Sequence, residues 1–194
     1  MHLRAAVIQT ASVPFDSAAT TKKVVKLILE AAAQGARLQV FPEALLSAYP
    51  KGADFGARVG GRLPRGRDEF LRYYDSAIDV PGPETEQIAE AAREAGSYVV
   101  IGVIERDGGT LYCTVLFFSP EGELLGKHRK LMPTAMERLV WGYGDGSTLP
   151  VFDTPFGKLG SVICWENYMP LLRMAMYGKG IQLYCMPTAD DKDS

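Results

Sequence analysis

Apolar residues recur along the first forty positions in two different rhythms. Leu3 to Gln9 is a compact apolar-rich run and reads as a buried strand. After it, Val24, Leu27, Ile28 and Ala31 fall at helical spacing behind Asp16 and Ser17, residue types whose side chains accept from the free N–H groups of a helix start. Gly35 closes that helix, since a residue without a Cβ enters the left-handed region without a steric penalty. Leu38 to Phe41 is a second strand, so the opening predicts a β-α-β unit of a layered α/β fold.

Residues 51–67 break the rhythm. Five glycines and four arginines among few apolar positions predict a long surface excursion, a lid or an interface segment rather than a core element. Past Pro81-Gly82-Pro83 the helical period returns over Glu84 to Ala95, closed by Gly96, and Tyr98 to Glu105 is a β-branched strand. Asp107-Gly108-Gly109 turns it into Thr110 to Ser119, which predicts a hairpin. Pro120-Glu121-Gly122 leads to Leu124 to Lys127. A later strand, Lys158 to Ile163, runs into Cys164, followed by a helix over Tyr168 to Tyr177 with Pro170 in its first turn and a strand over Ile181 to Met186.

With 194 residues, 47% hydrophobic and 23% charged, the chain can bury one core, and residues 1–194 read as a single domain. A formal charge of −2, with both signs interspersed, offers no basic stripe, which argues against nucleic acid and membrane partners. Ala5 to Ile8 is too short for a signal core or a membrane span. Three cysteines without a C-x-x-C pair point to a reducing compartment, the cytoplasm.

Cys164 sits between the apolar Gly160-Ser161-Val162-Ile163 and the polar Trp165-Glu166-Asn167, at a strand-to-helix elbow of the kind that exposes a side chain beside backbone N–H donors. Taken alone, a cysteine there is more often a small buried hydrophobe, the reading assigned to Cys113 and Cys185. Glu43, in Phe41-Pro42-Glu43-Ala44, also follows a core strand, although a lone glutamate is usually a solvated charge. Lys130 ends His128-Arg129-Lys130, by default a solvated basic face or a small anion patch.

Together, thiol, carboxylate and ammonium are the parts of a cysteine hydrolase that works without histidine: a nucleophile, a proton shuttle and a cation for the developing charge. With only His2 and His128, a Cys–His pair has little support. No G-x-S-x-G elbow occurs, Gly122 to Lys127 misses the phosphate-loop spacing, and Gly142, Gly144 and Gly146 follow no clear strand, so they read as a flexible loop. Two distant histidines and scattered cysteines argue against zinc.

Three stretches, Phe41-Pro42-Glu43-Ala44, His128-Arg129-Lys130-Leu131-Met132-Pro133-Thr134 and Cys164-Trp165-Glu166-Asn167-Tyr168-Met169-Pro170, resemble the nitrilase superfamily, specifically its true nitrilase branch. The resemblance implies a Glu43–Lys130–Cys164 triad, with Glu137 in Glu137-Arg138-Leu139-Val140-Trp141-Gly142 as a second glutamate beside the lysine. It runs from the first strand to Asp190-Asp191-Lys192-Asp193 and implies a four-layer α-β-β-α sandwich. Because the family continues further, the chain reads as a fragment whose sandwich is incomplete at the C-terminus.

The implied activity is hydrolysis of a small-molecule nitrile to the carboxylic acid and ammonia through a covalent cysteine thioimidate, with no cofactor and no metal, in a homo-oligomer. Tyr49, Trp141 and Trp165 are the candidate pocket walls. The alternatives are an amidase or carbamoylase with the same triad, cyanide hydrolysis, and a truncated, non-catalytic assembly partner.

Overall fold

A computed structural model describes residues 2–190; residues 191–193 of the family-like C-terminal stretch lie outside the described residues. The chain opens with β1 (Ala5–Val7), α1 (Ser17–Ala33) and β2 (Leu38–Val40). Asp16 caps α1 by accepting from the Ala19 N–H at 2.8 Å. Val24, Ile28 and Ala31 are buried, and Gly35 takes φ +87° just past the helix end. The first strand is a correction: it lies at a sheet edge with β2 as its neighbour, and Val7 is 85% exposed. An apolar run shows what a strand is able to bury, and the topology decides how much of it is covered.

The glycine- and arginine-rich stretch is an excursion only in its first part. It forms a two-stranded ribbon, β3 (Ala57–Arg58) with β4 (Gly61–Arg62), and then enters α2 (Pro64–Ser76), a helix the sequence reading did not anticipate. Proline at the first helical position starts α2, and Tyr73 anchors it while Phe55 packs its ring at 5.7 Å from that tyrosine. Next come α3 (Pro83–Ala95), closed by Gly96 at φ +57°, and the expected hairpin of β5 (Tyr98–Asp107) and β6 (Thr110–Phe118), extended by β7 (Leu124–Arg129). The five-stranded sheet runs β1-β2-β5-β6-β7, parallel from β1 to β5 and antiparallel beyond.

A second sheet, β10-β9-β8, comprises β8 (Val151–Thr154), β9 (Gly157–Ser161) and β10 (Leu183–Cys185), with α4 (Pro170–Gly178) between β9 and β10 in sequence. Strand alternation sorts the core. Val99, Ile101, Val103, Leu116 and Phe118 meet Val24, Ile28 and Ile88 of the helices α1 and α3. Their neighbours Val100, Ile104, Cys113, Val115 and Phe117 face Leu159 and Cys185 of the second sheet and Ile163 just past β9. Each such apolar side chain contributes roughly 1.5–3 kcal/mol by leaving water. Leu172 and Met176 of α4 close on Val162 beyond the second sheet. The layers therefore run α-β-β-α, with three strands in the second sheet among the described residues. No helix among them is long and apolar enough to cross a membrane.

Candidate active site

Three strand ends deliver Glu43, Lys130 and Cys164 to one place. After β2 the chain stays in register with β5: Phe41 N–H donates to Val100, Gly102 N–H to Pro42, and Leu45 N–H to Gly102. Gly102 permits this approach, since a Cβ there would lie 2.5 Å from the Glu43 Cα and from the Pro42 carbonyl oxygen. Lys130 directly follows β7 and its N–H donates to Cys113 O at 2.8 Å. Cys164 follows β9 by three residues and begins a 3₁₀ turn (Cys164–Tyr168) at φ +51°, a strained conformation for a residue with a Cβ. Its N–H donates to Pro187 O at 2.9 Å, and the Asn167 amide donates to its carbonyl at 2.7 Å.

The ionic cluster is buried. The Lys130 ammonium donates to Glu43 Oε1 at 2.6 Å and to Glu137 Oε2 at 2.8 Å. Glu137 also accepts from Tyr49 Oη at 2.7 Å and from the Thr134 N–H at 2.6 Å. The second oxygen of Glu43 accepts from Ala189 N–H at 3.0 Å, and the Cys113 thiol approaches Oε1 at 3.5 Å. A solvated basic face is therefore the wrong picture of residues 128–130. His128 and Lys130 are fully buried, and Arg129, on the opposite strand face, pairs with Glu105 and with Asp107 at 2.8 Å. The His128 ring meets Glu166, so it takes no part in a Cys–His pair.

Burial opposes the charge on Lys130, but the anionic groups facing it, both carboxylates among them, hold its pKa above the ordinary lysine value. Cys164 is pushed up to about 12, first by burial and then by the negative charge of Glu43, against the opposing pull of Lys130 and the Trp165 N–H. At neutral pH it is a protonated thiol with a carboxylate in front of it, so a nucleophile would form here only as its proton is taken away.

Cys164 opens into a cleft of about 560 Å³ lined by Tyr49, Thr134, Glu137, Val140 and Trp165, among others. Tyr49 and Trp165 thus stand where pocket walls were expected. Trp141 does not: it is 2% exposed, donates its indole N–H to Tyr73 Oη at 3.1 Å and lies behind Lys130, whose ammonium is 5.5 Å from the ring. Cys113 is buried as a core thiol should be, but it also borders the ionic cluster. The hairpin register carried that signal, because His128 pairs with Val115, which puts Cys113 and Lys130 in step on the inter-sheet face. Among the described residues no three His, Cys, Asp or Glu side chains gather in a metal-holding arrangement.

Residues 4–194 match the family model described as carbon-nitrogen hydrolase. The chain is 66% identical over 191 residues to an aliphatic nitrilase of Sinorhizobium fredii, 58% over 191 residues to a bifunctional nitrilase/nitrile hydratase of Nicotiana tabacum, and 60% over 188 residues to nitrilase 2 of Arabidopsis thaliana. The alignments cover 98%, 98% and 97% of this chain but 62%, 55% and 56% of those proteins, so the chain spans little more than half the length of these relatives. The crystal structure of an amidase from Nesterenkonia sp. superposes on 100% of this chain and 67% of its own, with a TM-score of 0.76 at 22% identity, a likeness of fold. With the family model spanning nearly the whole chain and the layered fold in agreement, this protein belongs to the carbon–nitrogen hydrolase family.

Proposed function

We propose that this chain carries the catalytic apparatus of a nitrilase, in one carbon–nitrogen hydrolase domain over residues 1–194, converting a small nitrile to its carboxylic acid and ammonia. The observation that carries the reading is the contact of a buried Glu43–Lys130–Glu137 cluster with the Cys164 thiol at the base of a cleft, in a chain 66% identical to an aliphatic nitrilase. Glu43 takes the thiol proton as Sγ attacks the nitrile carbon. The nitrogen collects the displaced π electrons and then that proton, giving a thioimidate. Lys130 and the Trp165 N–H face the charge that develops. Glu137 holds Lys130 in place, itself oriented by Tyr49.

Water, deprotonated by Glu43, then adds to the thioimidate carbon. If the C–N bond breaks, ammonia leaves a thioester, which a second water converts to acid and free thiol; if the C–S bond breaks, the amide leaves. Which bond breaks sets the acid-to-amide ratio, and a relative carrying both activities in its name makes that ratio a property to measure. A homo-oligomer is part of the proposal, supported by exposed Leu171 and Met174 on α4, and so is a cytoplasmic setting, supported by three free cysteines.

The test is ammonia and amide release from aryl, arylacetyl and aliphatic nitriles, cyanide and the matching amides, comparing this chain with Cys164→Ala. Cysteine-dependent release from nitriles is the expected result. Release from amides alone would move the chain to the amidases, and silence from a folded chain would reject catalysis by these residues alone.

A further inference from the structure

Outside the site, a fully buried His–Glu pair touches the chain neighbours of Lys130 and Cys164. Glu166 is 1% exposed and His128 is fully buried. Glu166 Oε2 accepts from the Ile163 N–H at 2.7 Å, and Oε1 accepts from the Leu131 N–H at 2.7 Å. Ile163 immediately precedes Cys164, and Leu131 immediately follows Lys130. One carboxylate therefore spans the two chain segments that present the thiol and the ammonium.

His128 completes the arrangement. Its Nδ1 lies 2.5 Å from Thr148 O, and a carbonyl only accepts, so Nδ1 carries a hydrogen. Its Nε2 faces the two Glu166 oxygens at 3.0 and 3.3 Å, so a proton lies between ring and carboxylate whichever of them holds it. The pair thus has every polar atom engaged, and neither residue lines the cleft at Cys164.

The elbow needs such a support. Cys164 sits at φ +51°, a conformation that persists where its surroundings leave no alternative. Glu166 locks the turn from both directions: its N–H donates to Ile163 O at 3.0 Å, and its carboxylate folds back onto the Ile163 N–H. Without the carboxylate, the buried Ile163 N–H and the half-buried Leu131 N–H lose their acceptor and the elbow is free to relax. The thiol then swings away from Glu43, Lys130 and the Trp165 N–H, the groups that face it.

We propose that Glu166 and His128 act as a positioning pair that ties the Cys164 elbow to the segment carrying Lys130 and so holds the thiol facing the Glu43 carboxylate. The inference rests on the nitrilase reading for its catalytic consequence, whereas its effect on the thiol is independent of that reading.

The experiment compares the parent chain with Glu166→Gln, His128→Gln and, as a control for loss of a buried carboxylate that pairs with Lys127 and Arg129 on the other face of β7, Glu105→Gln. The Cys164 peptide is followed by mass spectrometry during iodoacetamide labelling from pH 7 to pH 10, beside circular dichroism, kcat and KM. Glu166→Gln is expected to label at least tenfold faster at pH 8, with a profile levelling off toward the ordinary thiol range. Its kcat is expected to fall at least tenfold while KM stays within threefold. His128→Gln shifts the same way by less, and Glu105→Gln loses thermal stability with an unshifted profile.

A folded Glu166→Gln with the parent labelling profile overturns the proposal. If that variant does not fold, the His128→Gln profile decides in the same terms. Failure of both to fold beside a folded Glu105→Gln assigns the pair to the core alone and also overturns it. Absence of nitrile turnover in the parent rejects the function reading while the labelling profiles still decide the positioning role.

Discussion

The Lys130 ammonium donates to Glu43 across 2.6 Å, and neither side chain has any exposure to solvent. With Glu137 on its other side at 2.8 Å, one cation holds two buried carboxylates together. Lys130→Met would leave those carboxylates facing one another uncompensated. Breaking a buried pair this way costs about 3–5 kcal/mol, which for a chain of this size lowers the melting temperature by roughly 10 °C. Glu43→Gln keeps an oxygen for Lys130 and is expected to lose less stability, yet ammonia release should fall by about 10²-fold or more with the proton acceptor gone. Thermal unfolding beside an ammonia assay checks both; a Lys130→Met variant as stable as the parent would contradict the cluster as described.

The raised thiol of Cys164 makes a second, separable prediction. With its pKa pushed up to about 12, the resting protein holds no standing thiolate at neutral pH, so iodoacetamide labelling should keep accelerating from pH 7 to pH 10 without levelling. Part of that elevation is the charge of Glu43. Glu43→Gln should therefore label faster than the parent at pH 8 while turning over more slowly, two effects in opposite directions from one substitution. A labelling plateau near pH 8 in the parent would mean that Lys130 outweighs burial and Glu43 together.

Local pattern exposed much of this molecule and hid the rest for identifiable reasons. Asp16, Gly35 and Gly96 mark helix ends through chemistry that acts within a few residues, and those ends were legible. Helix α2 was not: its N-cap position, Leu63, supplies no side-chain acceptor, and its buried residues, Gly66, Tyr73 and Ser76, make too thin a stripe to stand out. The short β8 also escaped the reading, as four residues carry little periodicity. The segments around Glu43, Lys130 and Cys164 stood out as motifs, whereas the partners that bury them lie far away in sequence. Lys130 meets Glu43 87 positions away and His128 meets Glu166 38 positions away, so a basic triplet looked like a solvated surface. Strand alternation held the missing clue: it sends His128 and Lys130 inward together and Arg129 to the other face, toward Glu105.

Stability should erode on the alkaline side. Cys185 is pushed up to about 12 by burial alone, whereas in the unfolded chain a thiol titrates near about 8.5. Between those values the folded state holds the proton that the unfolded state has released, so stability is intact below the lower one and is lost as pH rises toward the upper. The limit is about 1.4 kcal/mol per pH unit for one such group. Cys164 and the buried Cys113 act in the same direction, as does Lys130 at still higher pH. Melting temperatures measured from pH 7 to pH 11 are expected to be flat at first and then to fall, and Cys185→Ala should be less stable at pH 7 but show a shallower alkaline decline. An equal slope in the two proteins would remove Cys185 from the explanation.

Gly102 offers a test in which geometry rather than charge is altered. Its missing side chain is what lets the Pro42–Glu43 backbone lie against β5, and an added methyl would meet the Glu43 Cα and Pro42 O at 2.5 Å and Ala44 N at 2.7 Å. All three are backbone atoms, so no side chain can rotate away; the whole segment has to shift. Overpacking of that kind costs typically 1–3 kcal/mol. Gly102→Ala is therefore expected to fold with a lowered melting temperature. Because Glu43 is bound to Lys130 at 2.6 Å and faces Cys164, a shift of a few tenths of an ångström also lengthens the proton path, and kcat should drop by about an order of magnitude or more while KM changes little. Normal turnover in a destabilised Gly102→Ala protein would show that Glu43 tolerates displacement, which its proposed role as the proton acceptor does not allow.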